Sequence, residues 1–206
     1  MPRPLSPDVR RALVERAASL LAQRQPVTLR ALVAGTGVST MAVYTYFEGM
    51  PGLWRAVRQE GFTRLGQHLA AVRTTSDPVH DLAALGAAYA TSALAEPALY
   101  RAMFDAAAEL EDPEAAGRSF GLLVAAAARA RDSGRFAATS DPAAVALRLW
   151  ASGHGLVMLV LTGVLPAEAL DAHAPGTYAA LCVDAGDEPA QSRASVAAGW
   201  SSRRPG

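Results

Sequence analysis

The string TLRALVAGTGVSTMAVYTYF at residues 28–47 constrains this chain more than any other segment. It scans as two brief helices around a tight turn, with an aromatic-rich end. Thr28 is placed to cap the first helix, whose inward face is Leu29, Leu32 and Val33. Gly35 and Gly37 suit the turn, because glycine enters positive φ without steric cost. Ser39 is placed to cap the second helix, and Val43 and Phe47 supply its buried side at i, i+4 spacing. The rest of that helix is Thr40, Met41, Ala42, Tyr44, Thr45 and Tyr46: small, soft or hydroxyl-bearing side chains and no acid. Such a surface suits close approach to a polyanion, and the arrangement is a helix-turn-helix.

The flanks extend the motif. Ser6-Pro7 reads as a cap followed by proline at the first helical position, with Val9, Leu13, Ala17, Leu20 and Leu21 at helical spacing. From Met50 to about Val72 a longer helix carries Leu53, Trp54, Val57, Leu65 and Leu69. With V-T-L-R-A-L-V, the G-V-S turn, the Y-x-Y-F end and the Leu53-Trp54 pair, residues 6–72 resemble the TetR family of transcriptional regulators. The resemblance implies an all-α protein: a helix-turn-helix head of three to four helices and a C-terminal helical bundle forming a homodimer. It also implies a double-stranded DNA operator and a small-molecule effector as partners and no cofactor, while the single Cys182 and the lack of a cationic, then apolar, start are read as a cytoplasmic location.

On that reading Thr40, Met41, Ala42 and Thr45 face base edges, while Thr28, Ser39, Tyr44 and Tyr46 face phosphates, with Arg30 and Arg55 adding charge. One departure stands out. The family commonly has a Ser-Lys pair at the start of the fourth helix, where this chain has Met50-Pro51, and all nineteen basic residues of the chain are arginine. Net charge is zero, yet residues 1–60 carry eight Arg against four acids and the remainder eleven against fifteen. A basic head on an acidic body fits a DNA reader with a separate sensing part, and chance scatter produces the same split in some chains. The rival reading is a helical ligand-binding dimer whose head has lost specific DNA binding.

Acid-proline pairs punctuate the body: Asp77-Pro78, Glu96-Pro97, Asp112-Pro113 and Asp141-Pro142 each open a predicted helix. Ala174-Pro175-Gly176 and Gly186-Asp187-Glu188-Pro189 are read as breaks, and a last helix covers 188–200. The expected organisation is a head at 1–50, an outgoing helix at about 50–73, a sensing and dimerisation domain at 77–200 and a disordered tail at 201–206. The helix at 141–165 is apolar on nearly every face beyond Trp150, and Gly153, Gly155 and Gly163 allow another backbone to approach. It is therefore expected to pair with 188–200 into a four-helix bundle across a two-fold axis. The segments Trp150-x3-His154-Gly155 and Pro97–Phe104 are similar to parts of one subgroup of TetR C-terminal domains. The longest apolar run, Gly155–Leu165, spans about 16 Å as helix, too short for a bilayer, so no membrane is expected.

Candidate effector contacts are Tyr89, Tyr100, Met103, Phe104, Phe120, Trp150, His154 and Met158, aromatic, soft or polar groups able to surround an apolar pocket. Each can equally fill core, and His154 can be a structural histidine bonded to a backbone carbonyl. No catalytic activity is expected. Ser152 and His154 point apart on a helix, and the acids Glu109, Glu111 and Asp112 read as solvated caps at a helix junction. The four histidines form no H-x3-H pair, and a single Cys182 makes a structural zinc site or a disulfide framework implausible.

Overall fold

The computed structural model describes residues 6–104, 110–112 and 114–201. Among the described residues there are ten helices and no strand. They are α1 (Pro7–Ala22), α2 (Leu29–Val33), α3 (Met41–Phe47), α4 (Met50–Ala70), α5 (Pro78–Ala95), α6 (Pro97–Met103), α7 (Glu114–Asp132), α8 (Pro142–Leu161), α9 (Glu168–Asp184) and α10 (Pro189–Ser201). They form two compact units, one within Met1–Arg64 and Glu96–Ala115, the other within Leu65–Ala95 and Ala116–Gly206.

The first unit is built on a core of Leu13, Val14, Leu20, Leu32, Val43, Phe47, Leu53, Val57 and Leu99, all nearly sealed from solvent. Burial of side chains this size contributes about 1.5–3 kcal/mol each. Thr28 caps α2 as expected, its Oγ1 accepting from the Ala31 N–H at 3.2 Å. Gly35 and Gly37 take φ of +75° and +72° in the turn. Ser39 does not cap α3: the helix begins one residue later, after Thr40, without a side-chain cap, and only the Ser39 carbonyl accepts a bond, from Ala42. The turn after Gly37 is one residue longer than the spacing suggests. A left-handed Glu48 (φ 61°) and Gly49 (φ 109°) then fold α4 sharply back. At Gly52 a Cβ would lie 1.7 Å from the Phe47 carbonyl oxygen, so the α3–α4 corner closes only on glycine.

In the second unit α5 is the central helix, packed by α10, α9 and α8, and it is buried continuously from Asp81 to Ala87. Gly86 and Gly153 leave a slot for the Tyr178 ring, to which added Cβ atoms would approach within 2.6 and 2.8 Å. Gly153 thus admits a side chain of the same chain rather than another backbone. Gly155 meets nothing within 4 Å, and Gly163, at φ +78°, follows the C-terminus of α8. Arg135 ties three segments together. It donates to both oxygens of Asp187 at 2.7 and 2.8 Å and to Asp77 at 2.9 Å, while Ser195 donates to Asp77. Asp81, 3% exposed at its side chain, accepts from Arg129, Thr75 and His80, fastening the loop after α4 to α5 and α7.

The acid-proline starts behave unequally. Asp77, Asp112 and Asp141 accept from amides of the first turn through their side chains, but Glu96 does not, its carboxylate being held by Arg64. The expected break at Pro175-Gly176 is absent, since α9 runs through both. Proline in a helix interior costs about 3 kcal/mol. The face Ala169, Leu170, Ala174, Tyr178, Ala179 and Cys182, all buried, outweighs that cost.

Nor is α8 sealed all round. It buries one stripe, Val145, Ala146, Leu149, Gly153 and Val157, and leaves Leu147 at 51% and Leu159 at 40% exposure. The whole of α8, unlike the shorter run Gly155–Leu165, is long and apolar enough to cross a membrane by length and composition. Its contacts with α9 and α5, and the pairing of Arg148 with Asp184, are those of a helix in a folded bundle. Ser201 ends α10 rather than beginning a tail, and residues 202–206 and Glu109 lie outside the described residues.

Candidate DNA interface and effector site

On α3 the buried pair Val43 and Phe47 turns the opposite face outward, with Met41 64% and Tyr44 51% exposed. Thr45 and Ser39 are also exposed, while Thr40, Ala42 and Tyr46 are half-buried. Some of the hydroxyls are already engaged. Thr45 donates to the Met41 carbonyl at 2.9 Å, and the Tyr46 oxygen accepts from the Ser6 N–H at 2.9 Å, which locks the start of α1 onto α3. Tyr46 thus keeps only its own proton to offer a ligand, whereas the Tyr44 ring stands beside Gly49 and its phenol is exposed. Thr28 spends a lone pair on its cap and Arg30 is exposed beside it. At the start of α4 Met50 is half-buried and Pro51 exposed, so neither position supplies a cation, and the Arg55 guanidinium lies against Gly52 instead.

The eight candidate effector contacts fall into two groups. Tyr100, Met103 and Phe104 lie in the first unit with the helix-turn-helix. Met103 fills the notch left by Gly61 of α4, and its carbonyl accepts from Arg58 Nε at 2.7 Å. Tyr100 packs edge-on to Phe104, and Phe104 to Phe62. Arg64 of α4 reaches Glu96 at the start of α6 at 2.6 Å. Together these contacts clamp α6 along α4, inside the unit that carries the reading helix.

Tyr89, Phe120, Trp150, His154 and Met158 lie in the second unit. The Tyr89 hydroxyl and His154 Nδ1 are 3.0 Å apart, so a phenol is one polar partner of this histidine. Trp150 stacks at an angle on His154 and edge-on to Phe120. Burial holds the His154 imidazole below its ordinary range. Met158 is half-buried one helical turn further along α8. Sequence reasoning missed Tyr178, whose fully buried phenol is pushed above its usual range by burial and whose ring fits the Gly86–Gly153 slot. Nothing in the local pattern marks it, because the slot is made by two other helices.

The chain thus combines a helix-turn-helix that has an outward face free of acids with an all-helical body, and the comparisons find the same fold. Residues 82–178 match the family model of the tetracyclin repressor-like C-terminal domain. The chain is similar to a protein with unknown function from Rhodococcus sp. RHA1, at 28% identity and a TM-score of 0.73, over 88% of this chain and 99% of that one. It shares its fold with the TetR-family regulator PfmR from Thermus thermophilus (17% identity, TM-score 0.65, 85% and 99% covered). It also shares it with RolR in complex with resorcinol (18%, 0.63, 92% and 93%). No curated protein matches the sequence. Residues 82–178 are thus a tetracyclin repressor-like C-terminal domain, and the chain has the fold seen in TetR-family regulators.

Proposed function

We propose that this protein is a repressor that binds a palindromic operator as a homodimer and is released by a small, largely apolar effector. The observation that carries the reading is the outward face of α3, where Met41, Tyr44 and Thr45 are exposed, no acid intervenes, and the first sixty residues hold a net charge of +4. Two such heads would dock in successive major grooves, with their reading helices about 34 Å apart. Methionine, alanine and threonine methyl groups suit thymine methyls, and the Tyr44 phenol suits a phosphate.

The exposed apolar stripe of α8, including Leu147, Gly155 and Leu159, supports pairing of two copies there, with α10 completing a four-helix bundle. The Tyr89–His154 pair beside Trp150 and Phe120 suits a neutral ring bearing a hydrogen-bonding group, and the resorcinol complex of RolR is of the same fold. Effector binding acts through α4, whose residues run from the reading helix into the second unit. A ligand shifts the equilibrium only by preferring one position of that helix.

The test is fluorescence anisotropy with DNA flanking the coding region, at several salt concentrations, with Tyr44→Ala/Met41→Ala protein as control. Site-specific binding that weakens with salt and disappears in the double variant supports the reading. Absence of specific binding by a folded dimer, in a random-sequence selection as well, overturns it. The head would then be a vestige on a ligand-binding dimer, as the missing cation at Met50-Pro51 would suggest.

A further inference from the structure

The second unit carries a cleft of about 450 Å³ between the end of α4 and the outer face of α5, lined among others by His68, Arg73, His80, Ala84, Ala88 and Thr91. It is not the effector region described above. Nine residues at about 100° each separate His80 from Tyr89, so the two side chains leave opposite sides of α5. Ala84 and Ala88, one turn apart, make an apolar floor, and Val72 extends it from the end of α4.

The polar groups at the rim are cationic or fixed. Among the described residues nothing pairs with the exposed Arg73 guanidinium. His80 Nδ1 contacts Asp81 Oδ1 at 3.2 Å, which orients the ring and leaves Nε2 for a second partner. His68 is oriented in the same manner by Ser92 at 3.1 Å. The acid beneath does not repel an incoming anion, because the Asp81 carboxylate is buried and neutralised by Arg129 at 2.6 Å, and Thr75 occupies its remaining lone pairs. An apolar floor of a few methyl groups with one unpartnered cation at its edge is complementary to a molecule with a carboxylate at one end and a short hydrocarbon body. The geometry points to a second small-molecule site, one that takes an amphipathic carboxylate with its head on Arg73 and its chain over Ala84 and Ala88. Such an occupant would bridge α4 and α5 at their junction.

The probe is octanoate, titrated calorimetrically and followed through the imidazole resonances of His68 and His80, with octan-1-ol as the neutral comparison. Octanoate binds and shifts both rings, octanol binds about tenfold more weakly, and Arg73→Gln costs octanoate a similar factor. Ala88→Phe, which fills the floor, abolishes binding. The exposed Arg73 variant keeps the test valid should the Phe variant fail to fold. The proposal is overturned by the absence of binding at millimolar octanoate. It is equally overturned by binding that Arg73→Gln leaves unchanged, or by binding lost on Tyr89→Phe instead.

Discussion

Gly52→Ala separates two opposing effects of known size. In an unobstructed helix the change gains about 1 kcal/mol, because alanine has less backbone freedom to lose than glycine. At Gly52 the added Cβ would sit 1.7 Å from the Phe47 carbonyl oxygen and 2.7 Å from its carbon. The closest comfortable carbon–oxygen approach is about 3.3 Å, so the corner must open by roughly 1.6 Å. Both obstructing atoms are backbone, and the intervening Glu48 and Gly49 already occupy left-handed conformations, so no side chain can yield. Overpacking against rigid neighbours costs about 1–3 kcal/mol or more. With the propensity gain set against it, a net loss near 2 kcal/mol follows, about 4–8 °C in Tm for a chain of this size. The reading helix ends at Phe47, so operator affinity should fall by more than the stability loss alone explains. Gly117→Ala on the exposed face of α7, where a Cβ meets nothing within 4 Å, is the matched control and should gain stability. Urea unfolding of both variants decides the matter. Should Gly52→Ala prove as stable as the parent, the argument from the α3–α4 corner is wrong.

Removing Asp187 takes two hydrogen bonds from the Arg135 guanidinium, which is 13% exposed, but leaves its pairing with Asp77, and should cost about 1.5–3 kcal/mol in urea unfolding, whereas Arg148→Gln at the exposed pair with Asp184 should cost under about 1 kcal/mol. Burial pushes the carboxyls of Asp77 and Asp81 upward, but the bonds from Ser195 and the α5 amides to Asp77, and from Arg129 and Thr75 to Asp81, outweigh it and hold both below the ordinary value of 3.8. Their stabilisation is complete above about pH 4, where the unfolded carboxyls ionise, and fades as pH falls through the lower folded values, so acid titration followed by circular dichroism should show unfolding beginning there. Burial, then the neighbouring Asp187, pushes the Cys182 thiol up to about 12, so a thiol reagent should label it at the rate of unfolding rather than at the rate of a free cysteine.

The head was legible because its signals are local. A threonine cap, two glycines at positive φ and a Val43–Phe47 pair each act within a few residues, and all appear in the structure where the spacing put them. Ser39 misled because the motif permits a cap at either of two adjacent residues, and the turn consumed one more than expected. The body was less legible wherever a tertiary contact overrode a local rule. Pro175-Gly176 carries the strongest break signal in the C-terminal half, yet the Tyr178 ring three residues on fills a slot between Gly86 and Gly153, and that packing carries the helix through. The same slot explains Gly153, whose missing side chain looked from the sequence like room for a partner molecule.

The division of the charged residues has a parallel cause. Arg58 belongs by sequence to the basic head and Arg64 follows it closely, but the structure spends both on α6, one on the Met103 carbonyl and one on Glu96. A count of charge along the chain therefore overstates what is available to DNA. The groups left near the reader are the exposed Arg30 and the half-buried Arg55, with the uncharged face of α3 between the turn and Glu48. Affinity drawn from so few cations must lean on shape and methyl contacts, and the slope of binding against salt should be shallow for a protein of this fold. A steep slope, equivalent to many released counterions, would mean that arginines outside the helix-turn-helix reach the duplex as well.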